Sequence, residues 1–214
     1  MQNLPAEAEG LNWSLTFSTT RDGFSLKNFY RHATAALDPD FDHSKRRSNS
    51  ESVPTTTNPN AHSSNRPCLL LIKDEDQNIF GACLNTHPYI APGRFYGNGA
   101  CFVFRWKELS LLAEESHSST EEFTQEELHH EEMHKDDADK LIHFEKFAWA
   151  QDSENCFFVN GEAESLTVGC SDEALRLDEQ LLHGTTGQCA TFNSPPLNPN
   201  THFRISALEL WTFL

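Results

Sequence analysis

Apolar and polar residues alternate from Trp13 to Ser18, which predicts a strand, and Arg21-Asp22-Gly23 then predicts a turn. The period changes after it. Leu26, Phe29, Tyr30 and Ala33 recur at the i, i+3, i+4, i+7 spacing of one buried helical face, and Ser25 stands where an N-cap belongs, so a helix is expected over 25–36. Two short apolar runs, 68–73 and 79–84, flank the polar connector Asp74-Glu75-Asp76-Gln77-Asn78 and predict a β-hairpin. Further strands are expected at 100–106, 143–149, 155–159, 164–168 and 203–213, with a second, short helix near 172–180. Many short strands and few helices indicate a mainly β member of the α+β class: a two-sheet antiparallel β-sandwich flanked by short helices.

Two stretches break this pattern. Residues 38–66 carry only Phe41, Val53 and Ala61 as apolar side chains among Ser, Thr, Asn and Pro, and residues 107–143 are dominated by Asp and Glu. Neither can bury enough surface to offset its ordering entropy, so the chain is expected to form one domain over 11–214 with a disordered insertion at 38–66 and an acidic one at 107–143. The net charge of −16 argues against a nucleic-acid partner, which would require clustered Lys and Arg. No apolar run reaches the roughly 20 residues of a membrane helix, so direct membrane insertion is not expected. The N-terminus MQNLPAEAEG lacks the basic and apolar regions of a secretory signal, and no Arg-rich presequence is visible. The six cysteines, with no C-x-x-C pair among them, are therefore expected to be reduced thiols of a cytoplasmic protein.

Candidate chemistry is sparse. His130-Glu131-Glu132-Met133-His134 matches H-E-x-x-H, which on a packed helix would set two imidazoles on zinc with Glu131 as general base. The surrounding His- and Glu-rich segment generates that pattern readily by chance and offers little apolar surface to anchor such a helix, so no metal or other cofactor is expected. Cys189, His183 and Asp178 can be written as nucleophile, base and orienter, and Cys189 is also the candidate for redox behaviour. The alternative to a binding function is thus an enzyme, either a zinc hydrolase or a thiol-based peroxide scavenger. The D-x-D-x-N spacing at 74–78 imitates the start of a calcium loop, but Ile79 replaces the glycine that such a loop needs at its sixth position. One acid is anomalous: in a regular strand Glu209 would share a face with Phe203, Ile205, Trp211 and Phe213, unless a bulge turns it outward. A nearby turn, 97–99, is the expected hydrogen-bond partner for its carboxylate.

Taken in order, Ser18-Thr19-Thr20-Arg21-Asp22-Gly23-Phe24-Ser25-Leu26, Pro67 to Asp74, Phe80-Gly81-Ala82, Phe95-Tyr96-Gly97-Asn98-Gly99 and Phe102-Val103-Phe104 resemble the TLDc domain of the oxidation resistance protein family. So do Phe147-Ala148-Trp149, Asn155-Cys156-Phe157-Phe158, Leu177-Asp178, His183-Gly184, Cys189 to Asn193, and Leu208 to Phe213. The chain departs from the family at Gly169-Cys170-Ser171-Asp172-Glu173, where one glycine remains of a glycine-rich turn, and at its two insertions. The expected organisation is a minimal, TLDc-only chain. The resemblance implies a non-enzymatic domain that protects against oxidative damage and binds the peripheral stalk of the vacuolar proton-pumping ATPase, regulating its assembly. It further implies functional roles for Gly97, Gly99 and Glu209, the last within the Glu209-Leu210-Trp211 motif, and allows a mitochondrial location besides the cytoplasm. A monomer is expected.

Overall fold

The computed structural model describes residues 12–36, 66–110, 140–151 and 154–213. A strand β1 (Trp13–Ser18) leads into a one-turn helix α1 (Thr19–Asp22) and then α2 (Leu26–Ala35), whose N-cap Ser25 accepts the Asn28 N–H through its hydroxyl. The expected hairpin follows as β2 (Cys68–Asp74) and β3 (Ile79–Leu84), then β4 (Phe95–Tyr96), β5 (Phe102–Ser110) and β6 (Lys140–Ala148). The chain continues through β7 (Val159–Gly161), β8 (Ser165–Val168), β9 (Leu175–Asp178), β10 (His183–Thr185) and β11 (His202–Phe213).

All strand pairings among the described residues are antiparallel. One sheet runs β1-β11-β2-β3-β5-β6 and the other β4-β7-β8-β9-β10-β11, so β11 belongs to both. His202 to Arg204 pair with β10, whereas Ile205 to Thr212 pair with β2. The core between the layers takes Leu70, Ile72, Phe80, Leu208 and Leu210 from the first sheet and Leu166, Val168, Leu175 and Leu177 from the second. Leu26, Phe29, Tyr30 and Ala33 of α2 join it, as their spacing predicts. A smaller cluster of Leu69, Cys83, Phe102, Phe104 and Phe213 covers the other face of the first sheet.

The sandwich expectation holds, with local corrections. The segment expected to form a helix at 172–180 contains strand β9, because Leu175 and Leu177 are buried and Arg176 exposed, a period of two. The strand expected at 155–159 begins only at Val159. The hairpin of β5 and β6 extends to the pair Ser110 and Lys140, so residues 107–110 and 140–143 are strand. The rest of the acidic insertion, 111–139, and residues 37–65 lie outside the described residues.

A buried polar chain ties α2 to the first sheet. His87, fully buried, donates from Nδ1 to the Ala33 carbonyl at 2.8 Å, since a carbonyl can only accept. Its Nε2 then accepts from the Thr212 hydroxyl at 3.1 Å, and Thr212 in turn accepts from Thr16. Desolvation pushes the His87 pKa down, which favours the neutral ring that this chain requires.

Candidate functional site

The loop between β4 and β5 is built from the side chain of Asn85. Its Oδ1 accepts the Asn98 N–H and the Cys101 thiol, both at 3.1 Å, while Asn98 Oδ1 accepts the Ala100 N–H at 2.9 Å and the Cys101 N–H closes the turn onto the Asn98 carbonyl at 3.0 Å. Gly97 has φ +96°, a conformation that strains any residue with a Cβ, and a Cβ there would also meet Asn85, Phe158 and Cys101 at 3.2–3.3 Å. At Gly99 the constraint is contact: a Cβ would sit 2.4 Å from Trp149 Cε3. The indole lies on the bare glycine.

Trp149 is fixed from behind. Its Nε1 donates to the Asn155 carbonyl at 3.0 Å, and the Asn155 side-chain oxygen accepts from Thr191 Oγ1 at 2.8 Å. Thr191 Oγ1 accepts the Cys170 N–H at 3.0 Å, and the Thr191 carbonyl takes the Ala150 N–H. Five separate segments thus converge on one end of the sandwich. Residues 97–100 are exposed there, and Phe95 and Phe157, 37% and 42% exposed, pack edge to face at 5.1 Å. The result is a firm backbone surface edged by aromatics, a shape suited to recognition.

The two residue groups singled out from sequence are not brought together. β11 carries a bulge between Ile205 and Ala207, which reverses its in-out phase: Phe203 and Ile205 are buried before it, Leu208, Leu210 and Thr212 after it. Glu209 therefore lies on the outer face, beside Trp211 rather than in the core. Its carboxylate accepts the Trp211 Nε1–H at 2.9 Å, which corrects the expected bond to the 97–99 turn.

Cys189 is buried, its sulfur donating to the Cys170 carbonyl at 3.5 Å and lying against Gly169, where a Cβ would come within 2.4 Å. It forms part of the main core cluster. Asp178 and His183 do meet, with Nδ1 to Oδ2 at 3.0 Å, and Asp178 also accepts the N–H groups of Leu182 and His183. They line a groove of about 480 Å³ with Arg176, His202 and Arg204, on the exposed side of the second sheet, so the nucleophile, base and orienter arrangement is not assembled. Burial pushes the thiols of Cys68 and Cys101 up in pKa, which disfavours thiolate there. His130, Glu131 and His134 lie outside the described residues. Among the described residues, no group of three or more His, Cys, Asp or Glu is arranged to hold a metal. The calcium-like connector serves as a turn staple: Asp74 accepts the Asn78 N–H at 2.7 Å, its side-chain amide at 2.8 Å, and the Asn198 amide.

Asn85, Trp149, Asn155 and Thr191 were not marked out as a unit by the sequence. The nearest signal was the motif Phe95-Tyr96-Gly97-Asn98-Gly99, two aromatics beside two closely spaced glycines, which marks the turn but not the residues that hold it.

The chain matches the TLDc domain family over residues 59–126 and 123–214. It is 29% identical over 214 residues to human Nuclear receptor coactivator 7, covering 99% of this chain and 16% of that protein. It is 28% identical to Oxidation resistance protein 1 of cattle and of human, covering 99% of this chain and 17% of each. The chain thus spans about one sixth of the length of these relatives.

Proposed function

Because the chain belongs to the TLDc domain family, we propose that it is a non-enzymatic interaction domain of the oxidative stress response, which docks on the peripheral stalk of the vacuolar proton-pumping ATPase and regulates its assembly. Its relatives include proteins named for oxidation resistance, which supports the first half of this reading. The observation that carries the second half is the exposed 97–100 turn, held by Asn85 and Trp149, which offers backbone shape and flanking aromatics to a protein surface. In this reading the domain works in the cytoplasm as a monomer, with a mitochondrial pool following from the family resemblance alone.

Glu209 and Trp211 form a second recognition element on the outer face of the first sheet. Glu209→Gln keeps an oxygen for the Trp211 indole and removes only the charge, so stability should shift by no more than about 1 kcal/mol. The test is a pull-down of the full chain with purified pump, assembled and dissociated, using wild type, Glu209→Gln and Gly97→Ala. Wild type should bind one form in preference, and each variant should bind more weakly while remaining folded. Failure of wild type to bind either form refutes pump docking. Undiminished binding by one folded variant removes its surface from the contact.

A further inference from the structure

Strand β3 begins at Ile79, and its pairing with β5 ends at Phe80 opposite Arg105. β5 nevertheless continues to Ser110, where among the described residues only β6 lies beside it, while the β2–β3 turn leads the chain away toward β2. Beyond Arg105, the edge of β5 that faces β3 therefore lacks a strand partner among the described residues. An antiparallel strand directs alternate N–H and C=O groups to either side, so this edge presents hydrogen-bonding groups that an added strand would satisfy.

The edge opens into a groove of about 660 Å³ lined by Leu71, Ile79, Trp106, Lys107, Leu197 and Pro199, among others. Its two walls differ in chemistry. Trp106, 37% exposed, lies on the same face as Leu71 and Ile79, whereas Arg105 and Lys107 alternate with it and face the side of Leu197 and Pro199. Arg105 is already committed to Glu145 and the Pro196 carbonyl; Asp76 on the rim accepts the neutral Asn200 amide at 3.2 Å and keeps its negative charge, so an incoming carboxylate is favoured at Lys107 and not at that rim. Lys107, on the same wall as Arg105, is the cation placed to meet an incoming carboxylate.

We propose that this groove is a strand-addition site for an extended peptide segment of a protein partner, with apolar residues alternating with acidic ones. Backbone pairing to β5 supplies the register. Apolar side chains on one face of the peptide pack on Trp106, Leu71 and Ile79, and a carboxylate on the other face meets Lys107. The site lies farther along β5 than the 97–101 turn and is independent of the function proposed above.

The probe is a fluorescein-labelled heptapeptide of alternating Val and Glu, titrated into the full chain by fluorescence anisotropy. Its controls are the same peptide N-methylated at alternate residues along one edge, in both phases, and an alternating Val and Lys version. Saturable binding should weaken about tenfold or more for one N-methylated phase, which loses the backbone bonds but keeps the side chains. Lys107→Glu, a surface change, should reverse the preference between the Glu and Lys peptides. Trp106→Ala should weaken both, with folding checked by circular dichroism because Trp106 also packs on Phe104 and Phe144. Equal binding by both N-methylated phases and the parent, or no saturable binding to wild type, overturns strand addition. Binding only after 111–139 is replaced by a short Gly-Ser linker overturns the partner assignment, since the chain's own insertion would then be the occupant.

Discussion

Replacing Gly99 with alanine tests whether the contact with Trp149 shapes the proposed recognition surface. The added methyl would lie 2.4 Å from Cε3 and 3.0 Å from Cζ3 of the indole, where carbon atoms ordinarily settle at roughly 3.5–4.0 Å. Trp149 must therefore retreat by about 1 Å, which strains its 3.0 Å bond to the Asn155 carbonyl. Overpacking of this kind costs about 1–3 kcal/mol, and a lost hydrogen bond adds about 1 kcal/mol. Stiffening of the unfolded chain offsets about 0.4–1 kcal/mol. The net expectation is a destabilisation of about 1–3 kcal/mol, or a melting temperature lower by roughly 2–12 °C in a domain of this size. Urea denaturation of a double-mutant cycle with Trp149→Ala isolates the contact, because the alanine at 99 should cost almost nothing once the indole is gone. An equal penalty in both backgrounds would show that the turn's own backbone, not Trp149, requires glycine at 99.

Three further outcomes follow from the same structure. The depressed pKa of His87 means that the unfolded chain takes up its proton first, so the stability it contributes is complete above its ordinary value of 6.5 and is lost as pH falls through the lower folded value; urea midpoints at pH 7.5 and 5.0 should diverge more in wild type than in His87→Leu, and equal divergence refutes the role of the buried chain. Conservative replacement of all six cysteines should lower stability, chiefly through the packed Cys68, Cys101 and Cys189, yet leave peroxide resistance in cells expressing equal protein; complete loss from a single folded Cys189→Ser variant would restore the scavenger reading. Exchanging 111–139 for a Gly-Ser linker should preserve pump binding and oxidant protection, whereas their loss together with bound zinc, measured by atomic absorption, would favour the hydrolase.

Where periodicity alone decides structure, the sequence was sufficient: α2 carries its buried stripe at helical spacing, and the β2–β3 hairpin follows from two apolar runs around a polar turn. The failures have separate physical causes. The helix expected near 172–180 fails because its first residues belong to a turn in which Gly169, Ser171 and Asp172 all have positive φ, and β9 begins just after it. The charged ends of β5 and β6 suggested a solvated insertion because a ribbon extending past its sheet needs no buried face. Glu209 stands out only if β11 alternates without a break; its location turns on one bulged residue that leaves no trace in an alternating pattern, and that residue turns it outward. The support for the 97–101 turn was hidden for another reason. Asn85, Trp149 and Thr191 are distant in sequence and meet only when the two layers close.

Trp13 pairs with Phe213 across β1 and β11, their rings 4.9 Å apart, so the two ends of the folded unit leave it side by side. Flanking polypeptide on either side needs no connecting span, and the domain can be carried within a longer chain as a hanging loop. The same geometry fixes how it yields mechanically. Tension between the flanks acts across the β1–β11 pairs and opens them one at a time from Trp13 and Phe213 inward, in the manner of a zipper, instead of shearing all of them at once. Pulled from its ends, the unit releases β1 first, while β2 and β10 still hold the rest of β11 in both sheets.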